Sequence, residues 1–177
     1  MNIAIIGATG QIGSRIAAEA LARGHNVTGF ERTPDPAKTP PGVSLVQADA
    51  RQTASLAPLL GGHDAVVTAA FCRDLRAESV ADALRQAGVR RLLVVGGAGS
   101  LQTAPGTILL DSPDFPDEYK PEAMGAKAFL EDLRTIEDLD WTFLSPAALL
   151  EPGERTGKFR IGGDRLLVGP DGQSRIR

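Results

Sequence analysis

NIAIIGATGQIG, residues 2–13, is the most informative stretch of the chain. Asn2–Ile6 is a short β-branched apolar run stopped by glycine, the pattern of a strand buried on both faces. Gln11–Arg23 then places Ile12, Ile16, Ala20 and Leu21 on one helical stripe, and Gly24 follows as a C-terminal stop. The turn between them gives each of its glycines a steric task. Gly7 lets the chain leave the strand tightly, Gly10 lets backbone approach a pyrophosphate, and Gly13 lets the helix pack closely on the sheet. The helix that follows offers unpaired N–H groups and its positive dipole end to phosphates. A glycine triplet alone is weak evidence. Here it follows an apolar strand and opens an amphipathic helix, and so predicts a dinucleotide-binding turn.

The rest of the chain continues the alternation. Strands are expected at Val27–Phe30, Val43–Gln47, Asp64–Ala70, Arg91–Val95 and Trp141–Leu144. Helices are expected at Thr53–Leu60, with Thr53 as cap, at Ala77–Ala87, ended by Gly88, and at Glu122–Leu139. The last of these has Met124, Phe129, Leu133 and Ile136 among its apolar positions. Proline marks Thr33–Gly42 and Gln102–Pro121 as irregular. Two short strands, near Lys158–Ile161 and Leu166–Val168, look like a hairpin or edge addition. Alternating strands and helices mean an α/β fold: a Rossmann-type, doubly wound parallel sheet with helices on both faces and short β additions near the C-terminus.

Composition bounds the function. A chain of 177 residues points to one domain, residues 1–177. A net charge of −3 gives no reason to expect nucleic acid or an anionic membrane as partner. No apolar run approaches the ~18 residues that span a bilayer. No signal peptide is read at the N-terminus. The single cysteine, Cys72, forbids an intramolecular disulfide and suits a reducing cytoplasm. Beside the apolar run Ala65–Phe71 it reads as a small packed residue rather than a reactive thiol. No metal site is expected, the partner is a small-molecule acceptor, and the chain is expected as a monomer or homodimer.

The second strand ends Phe30-Glu31-Arg32. An acidic group at this distance past the glycines meets the adenosine ribose hydroxyls, and Glu31 fits. An arginine here instead holds a 2′-phosphate, and Arg32 fits that. The two pull opposite ways, so NAD(H) and NADP(H) both remain open. Asp49, beside Ala50 after the third strand, either accepts the adenine amino group or caps a turn.

With these residues in place, the chain resembles the atypical short-chain dehydrogenases, in the NAD(P)-binding group around NmrA-like proteins and the biliverdin/flavin reductases. The spacing Gly7-x-x-Gly10-x-x-Gly13 with Thr9 is that group's form of the fingerprint, and Gly62–Val67 looks like its fourth strand. LLVVGGAGS (92–100) and LSPAALLEPG (144–153) are similar to a bacterial NADH-flavin reductase subgroup. The resemblance implies that Gly7, Thr9, Gln11 and Ile12 line the pyrophosphate. It puts Arg32 at a 2′-phosphate, leaning toward NADP(H), and Asp49 with Ala50 at adenine. It sets Ala69, Ala70 and Phe71 beside the ribose and nicotinamide, and Ser145 and Pro146 beside the nicotinamide. Relatives continue with a further helix and strand past the point where this sequence stops; either the sequence is shortened or this member lacks that element, and its absence would leave apolar surface exposed.

The wider family's catalytic tyrosine and lysine lie four apart on the helix after the fifth strand. Alignment puts Lys127 at the lysine and Ala123 at the tyrosine, so the usual proton donor is missing. Lys127 either holds the nicotinamide ribose or is a solvated helix lysine. Tyr119, one turn upstream, supplies a phenol from another angle or packs in its loop. Ser100 lies where the family keeps a serine that contacts substrate, or it caps a loop. His25 and His63 fall at the amino ends of strands, away from the site. Carbonyl reduction develops an alkoxide and needs an acid; a flavin or other conjugated acceptor delocalises the charge. The expectation is therefore an NAD(P)H-dependent oxidoreductase that transfers hydride to a small conjugated acceptor, flavin- or quinone-like. Behind it stand a non-catalytic redox-sensing regulator of NmrA-like type and a sugar-nucleotide epimerase or dehydratase.

Overall fold

Six strands that cannot reach one another through tight turns must be joined by crossovers, and that is how the chain runs. The computed structural model describes residues 1–176. Its elements are β1 (Asn2–Ile6), α1 (Gly13–Ala22), β2 (Asn26–Glu31), β3 (Ser44–Gln47), α2 (Thr53–Leu60), β4 (Ala65–Thr68), α3 (Ala77–Ala87) and β5 (Arg91–Val95). A small hairpin, β6 (Gln102–Ala104) and β7 (Thr107–Ile108), precedes α4 (Lys120–Leu133) and β8 (Asp140–Leu144). Leu149–Leu150 (β9) and Arg175–Ile176 (β10) pair with each other near the C-terminus.

The main sheet is parallel throughout, in the order β3-β2-β1-β4-β5-β8. From β1 the chain winds outward through β2 and β3, then returns to β4 and winds the other way. The switch point lies between the carboxyl ends of β1 and β4, where an open α/β sheet binds its ligand. Alternation along each strand divides the core. Ala4 and Ile6 of β1, with Phe30, Val66, Leu92 and Val94, face α2, α3 and α4. Ile5, Val27 and Val67 face Ala17 and Ala20 of α1. Each fully buried Leu or Phe removes enough apolar surface to contribute roughly 1.5–3 kcal/mol.

The sheet strands and α1–α3 lie where the pattern put them, apart from trimmed ends. Other elements differ. Thr53 begins α2 rather than capping it: Gln52 is the cap residue, and Thr53 Oγ1 donates to Ser79 O at 3.0 Å, tying α2 to α3. The stretch 102–121 holds the β6–β7 hairpin and several short 3₁₀ turns rather than plain loop. The fourth helix begins two residues earlier than Glu122 and ends at Leu133. Ile136 and Leu139 stay buried beyond its end, so the apolar period outlasts the helix. Met124 is 61% exposed, because Ala123, Ala126, Phe129 and Leu133 form the inner face. No strand forms at 158–161 or 166–168: Phe159 and Ile161 are exposed, and the C-terminal additions are β9–β10 and a single bridge from Gln102 to Arg165.

Candidate dinucleotide-binding site

A cleft of about 460 Å³ opens at the switch point, walled by the ends of β1, β2, β3, β4 and β5. That is within the usual range for a cofactor pocket. Gly7 turns out of β1 at φ +84°, the left-handed region where a side chain would be strained. Its N–H donates to Phe30 O at 3.0 Å, and Gly10 N–H closes the turn on Gly7 O at 3.1 Å. A Cβ on Gly13 would stand 2.0 Å from Gly7 O, so this glycine is needed for the approach of α1 to the turn itself.

The turn fits an anionic ligand. The backbone N–H groups of Gln11 and Ile12, both on the cleft wall, donate to no acceptor among the described residues. Helix α1 starts with no side-chain cap and no acidic residue in its first turn. An unsatisfied helix start in a cleft is a phosphate site by its chemistry. A Cβ on Gly10 would meet only Gly7 O, at 3.3 Å, so its outer side is open.

Most expected cofactor residues come together. Gly7, Thr9, Gly10, Gln11, Ile12, Glu31, Arg32, Asp49, Ala50, Ala69, Ala70 and Phe71 all line the cleft. Gly13 supports it from behind. Ser145 and Pro146 follow β8, half-buried and off the cleft wall. Ser100 sits half-buried in a 3₁₀ turn after β5, also off the wall. Tyr119 is 59% exposed and does not reach the cleft, and Lys127 ion-pairs with Glu131 on its own helix. None of the three catalytic candidates lines the cleft. Neither histidine lines the cleft; His63 contacts the Phe30 ring edge-on.

Two acids are already engaged. Glu31 Oε1 accepts the Thr9 N–H at 2.8 Å and the Thr9 hydroxyl at 2.9 Å, so it holds the glycine turn to β2. Asp49 is gripped by Arg51, with Nε to Oδ1 at 2.9 Å and Nη2 to Oδ2 at 2.6 Å. These bonds pull its carboxyl down to about 2.

Among the cleft residues that sequence reading missed, three are charged: Arg51, Asp74 and Glu122. Glu122, in the first turn of α4, accepts the Cys72 N–H at 2.9 Å and the Arg73 N–H at 3.3 Å. Burial raises its pKa despite these bonds. It pins the turn after β4 onto α4, a pairing between residues some fifty apart that no local pattern announces. Gly125 permits it, since a Cβ there would fall 2.4 Å from Arg73 Cα. Cys72 is buried beside it, and desolvation followed by the Glu122 charge pushes the thiol up to about 12. At the cleft mouth the Phe71 ring is exposed, with the Arg73 guanidinium 4.6 Å from its centroid.

A family model described as NAD(P)H-binding matches residues 7–175. A Burkholderia pseudomallei structure, provisionally described as an exported protein, shares 47% identity at TM-score 0.89, covering 99% of this chain and 86% of that one. A Streptococcus pneumoniae structure, provisionally named an NADH-flavin reductase, shares 38% identity at TM-score 0.82, with the same two coverages of 99% and 86%. A Streptomyces 3-diazoavenalumate denitrifying reductase is 32% identical over 95% of this chain, which spans 62% of that protein. Among the described residues no helix is long and apolar enough to cross a membrane.

Proposed function

The chain belongs to the NAD(P)H-binding family, and we propose that within it this protein is a cytoplasmic reductase that transfers hydride to a small conjugated acceptor, flavin- or quinone-like, with NADP(H) preferred over NAD(H). One observation carries the choice of acceptor. No tyrosine, lysine or histidine is among the described residues that line the cleft, and the one cleft acid with a raised pKa, Glu122, has its two oxygens engaged by the Cys72 and Arg73 N–H groups. Ala123, at the position of the family's tyrosine, is buried against Gly99, whose own Cβ would fall 2.8 Å from it. A ketone or aldehyde needs a proton donor as its alkoxide forms. A conjugated acceptor spreads that charge and takes its proton from solvent.

The bound nicotinamide, when reduced, supplies the hydride. The chain's own residues do the rest. The Gln11 and Ile12 N–H groups and the start of α1 hold the pyrophosphate. Arg32, whose guanidinium has no hydrogen bond or ion pair among the described residues, holds the 2′-phosphate. Phe71 offers an exposed ring to a planar acceptor at the cleft mouth. The reductase name of the Streptomyces relative, and that of the Streptococcus structure, support the same reaction class.

The test is NADPH oxidation with FMN, riboflavin and quinones against a panel of aldehydes and ketones. Faster turnover of the first set is expected. Faster carbonyl reduction would overturn the reading. Tight dinucleotide binding with no turnover at all would favour the non-catalytic redox-sensing regulator, which the absent phenol also suits. Turnover of a nucleotide sugar would replace both.

A further inference from the structure

Two arginines line the cleft just past the ends of β2 and β3. Arg32 leaves β2, and Arg51 comes from the turn after β3. Asp49 pairs with Arg51 and feels the charge of Arg32 more weakly. Arg32 has no side-chain partner among the described residues, whereas Arg51 is held. Asp49 Oδ1 takes the Arg51 backbone N–H at 3.1 Å as well as Nε, and Oδ2 takes Nη2. Asp49 is itself anchored, since its N–H donates to Ser55 Oγ of α2 at 3.1 Å. The fork engages one edge of the guanidinium. The remaining N–H groups of Arg51 have no partner among the described residues, and the side chain is half exposed on the cleft wall.

We propose that Arg51, oriented by Asp49, is the second guanidinium of a two-arginine clamp that with Arg32 grips the 2′-phosphate of NADP(H). This rests on the cofactor reading above and gives Asp49 a positioning role in place of adenine recognition. A planar guanidinium fixed along one edge presents its other edge pre-organised, which suits bidentate bonds to a phosphate oxygen pair. The acids nearby do not cancel this. Asp49 is neutralised by Arg51 itself, Glu31 directs one oxygen at Thr9, and Asp74 acts on Arg51 only electrostatically. Because Asp49 offsets its charge, Arg51 contributes directed hydrogen bonds rather than net field, and its share is smaller than that of Arg32.

Calorimetric titration with NADP⁺, NAD⁺ and 2′-AMP tests the clamp. Arg51→Ala should weaken NADP⁺ and 2′-AMP roughly five- to tenfold and leave NAD⁺ within about twofold. Arg51→Lys should lose nearly as much, since an ammonium cannot make the fork. Asp49→Asn should also weaken NADP⁺, because it frees the guanidinium. Equal effects on NADP⁺ and NAD⁺, no effect of Arg51→Ala, or tighter NADP⁺ binding by Asp49→Asn would each overturn the proposal. The last would make Asp49 merely a repelling charge. Failure of the underlying cofactor reading looks different: the unaltered chain would then bind NAD⁺ at least as tightly as NADP⁺, or bind neither dinucleotide.

Discussion

Gly13→Ala and Gly10→Ala should have opposite consequences, although both alter the same turn. An ideal Cβ on Gly13 stands 2.0 Å from Gly7 O, 2.8 Å from Gly7 C and 3.1 Å from Ala8 Cα. All three are backbone or Cα atoms, so no rotamer relieves the clash. Reaching even the shortest tolerated contact, 3.0 Å, means parting α1 from the turn by about 1 Å. That movement also loosens Ala17 and Ala20 from Ile5 and Val67. Overpacking costs about 1–3 kcal/mol, and rigid backbone on both sides puts this case at the upper end. For a domain of this size the loss corresponds to a melting temperature lower by roughly 6–12 °C. At Gly10 the added methyl meets only Gly7 O, at 3.3 Å, and the backbone is not left-handed. Stability should change by less than about 0.5 kcal/mol, while the methyl occupies the side open to the pyrophosphate. Thermal melts and NADP⁺ titrations read both effects. A Gly13→Ala variant melting with the parent would show that the turn and helix yield freely. Undiminished affinity in Gly10→Ala would take the pyrophosphate off that edge.

Three further outcomes can be checked. Thr68 is fully buried in β4, and its hydroxyl finds no partner among the described residues, so Thr68→Val should stabilise the fold by about 1 kcal/mol; a lower melting temperature would reveal a bond this geometry lacks. Burial raises the Glu122 pKa above its ordinary 4.5, so the folded state favours the protonated carboxyl. The stability this contributes is complete below 4.5 and fades as pH climbs through the raised value, so melts should show the parent losing ground to Glu122→Gln over that window. A gap moving the other way would mean that the two backbone N–H bonds outweigh desolvation. Cys72, with its thiol pushed up to about 12, should resist a disulfide reagent at pH 8 until the protein is unfolded; fast native labelling would contradict its burial.

Local signals carried much of this protein. A β-branched run before a glycine turn makes β1 wherever the rest of the chain goes, because two buried faces and a left-handed Gly7 are properties of those residues. The alternation of elements then implied the parallel sheet and its switch point, and so the cleft. The end of the second strand offered Arg32, and the family resemblance added Gln11 and Ile12; all three line the cleft. Where apolar pattern and secondary structure part, the pattern misled. Phe159 and Ile161 alternate like a strand but are exposed and pair with no strand among the described residues, and Ile136 stays buried after α4 has ended.

The partners of individual side chains emerge only in the folded protein. Glu31, legible as a ribose acid, is engaged with Thr9 across twenty-two residues. Asp49, legible as an adenine acceptor, is locked to an arginine two residues on that no motif marks. Glu122 reaches the turn after β4 from a helix fifty residues away. Strand and helix follow from backbone sterics and the period of burial, which are written locally. Partnership among charged groups depends on which loops the topology brings to the same sheet edge, and that is settled only when the chain has folded.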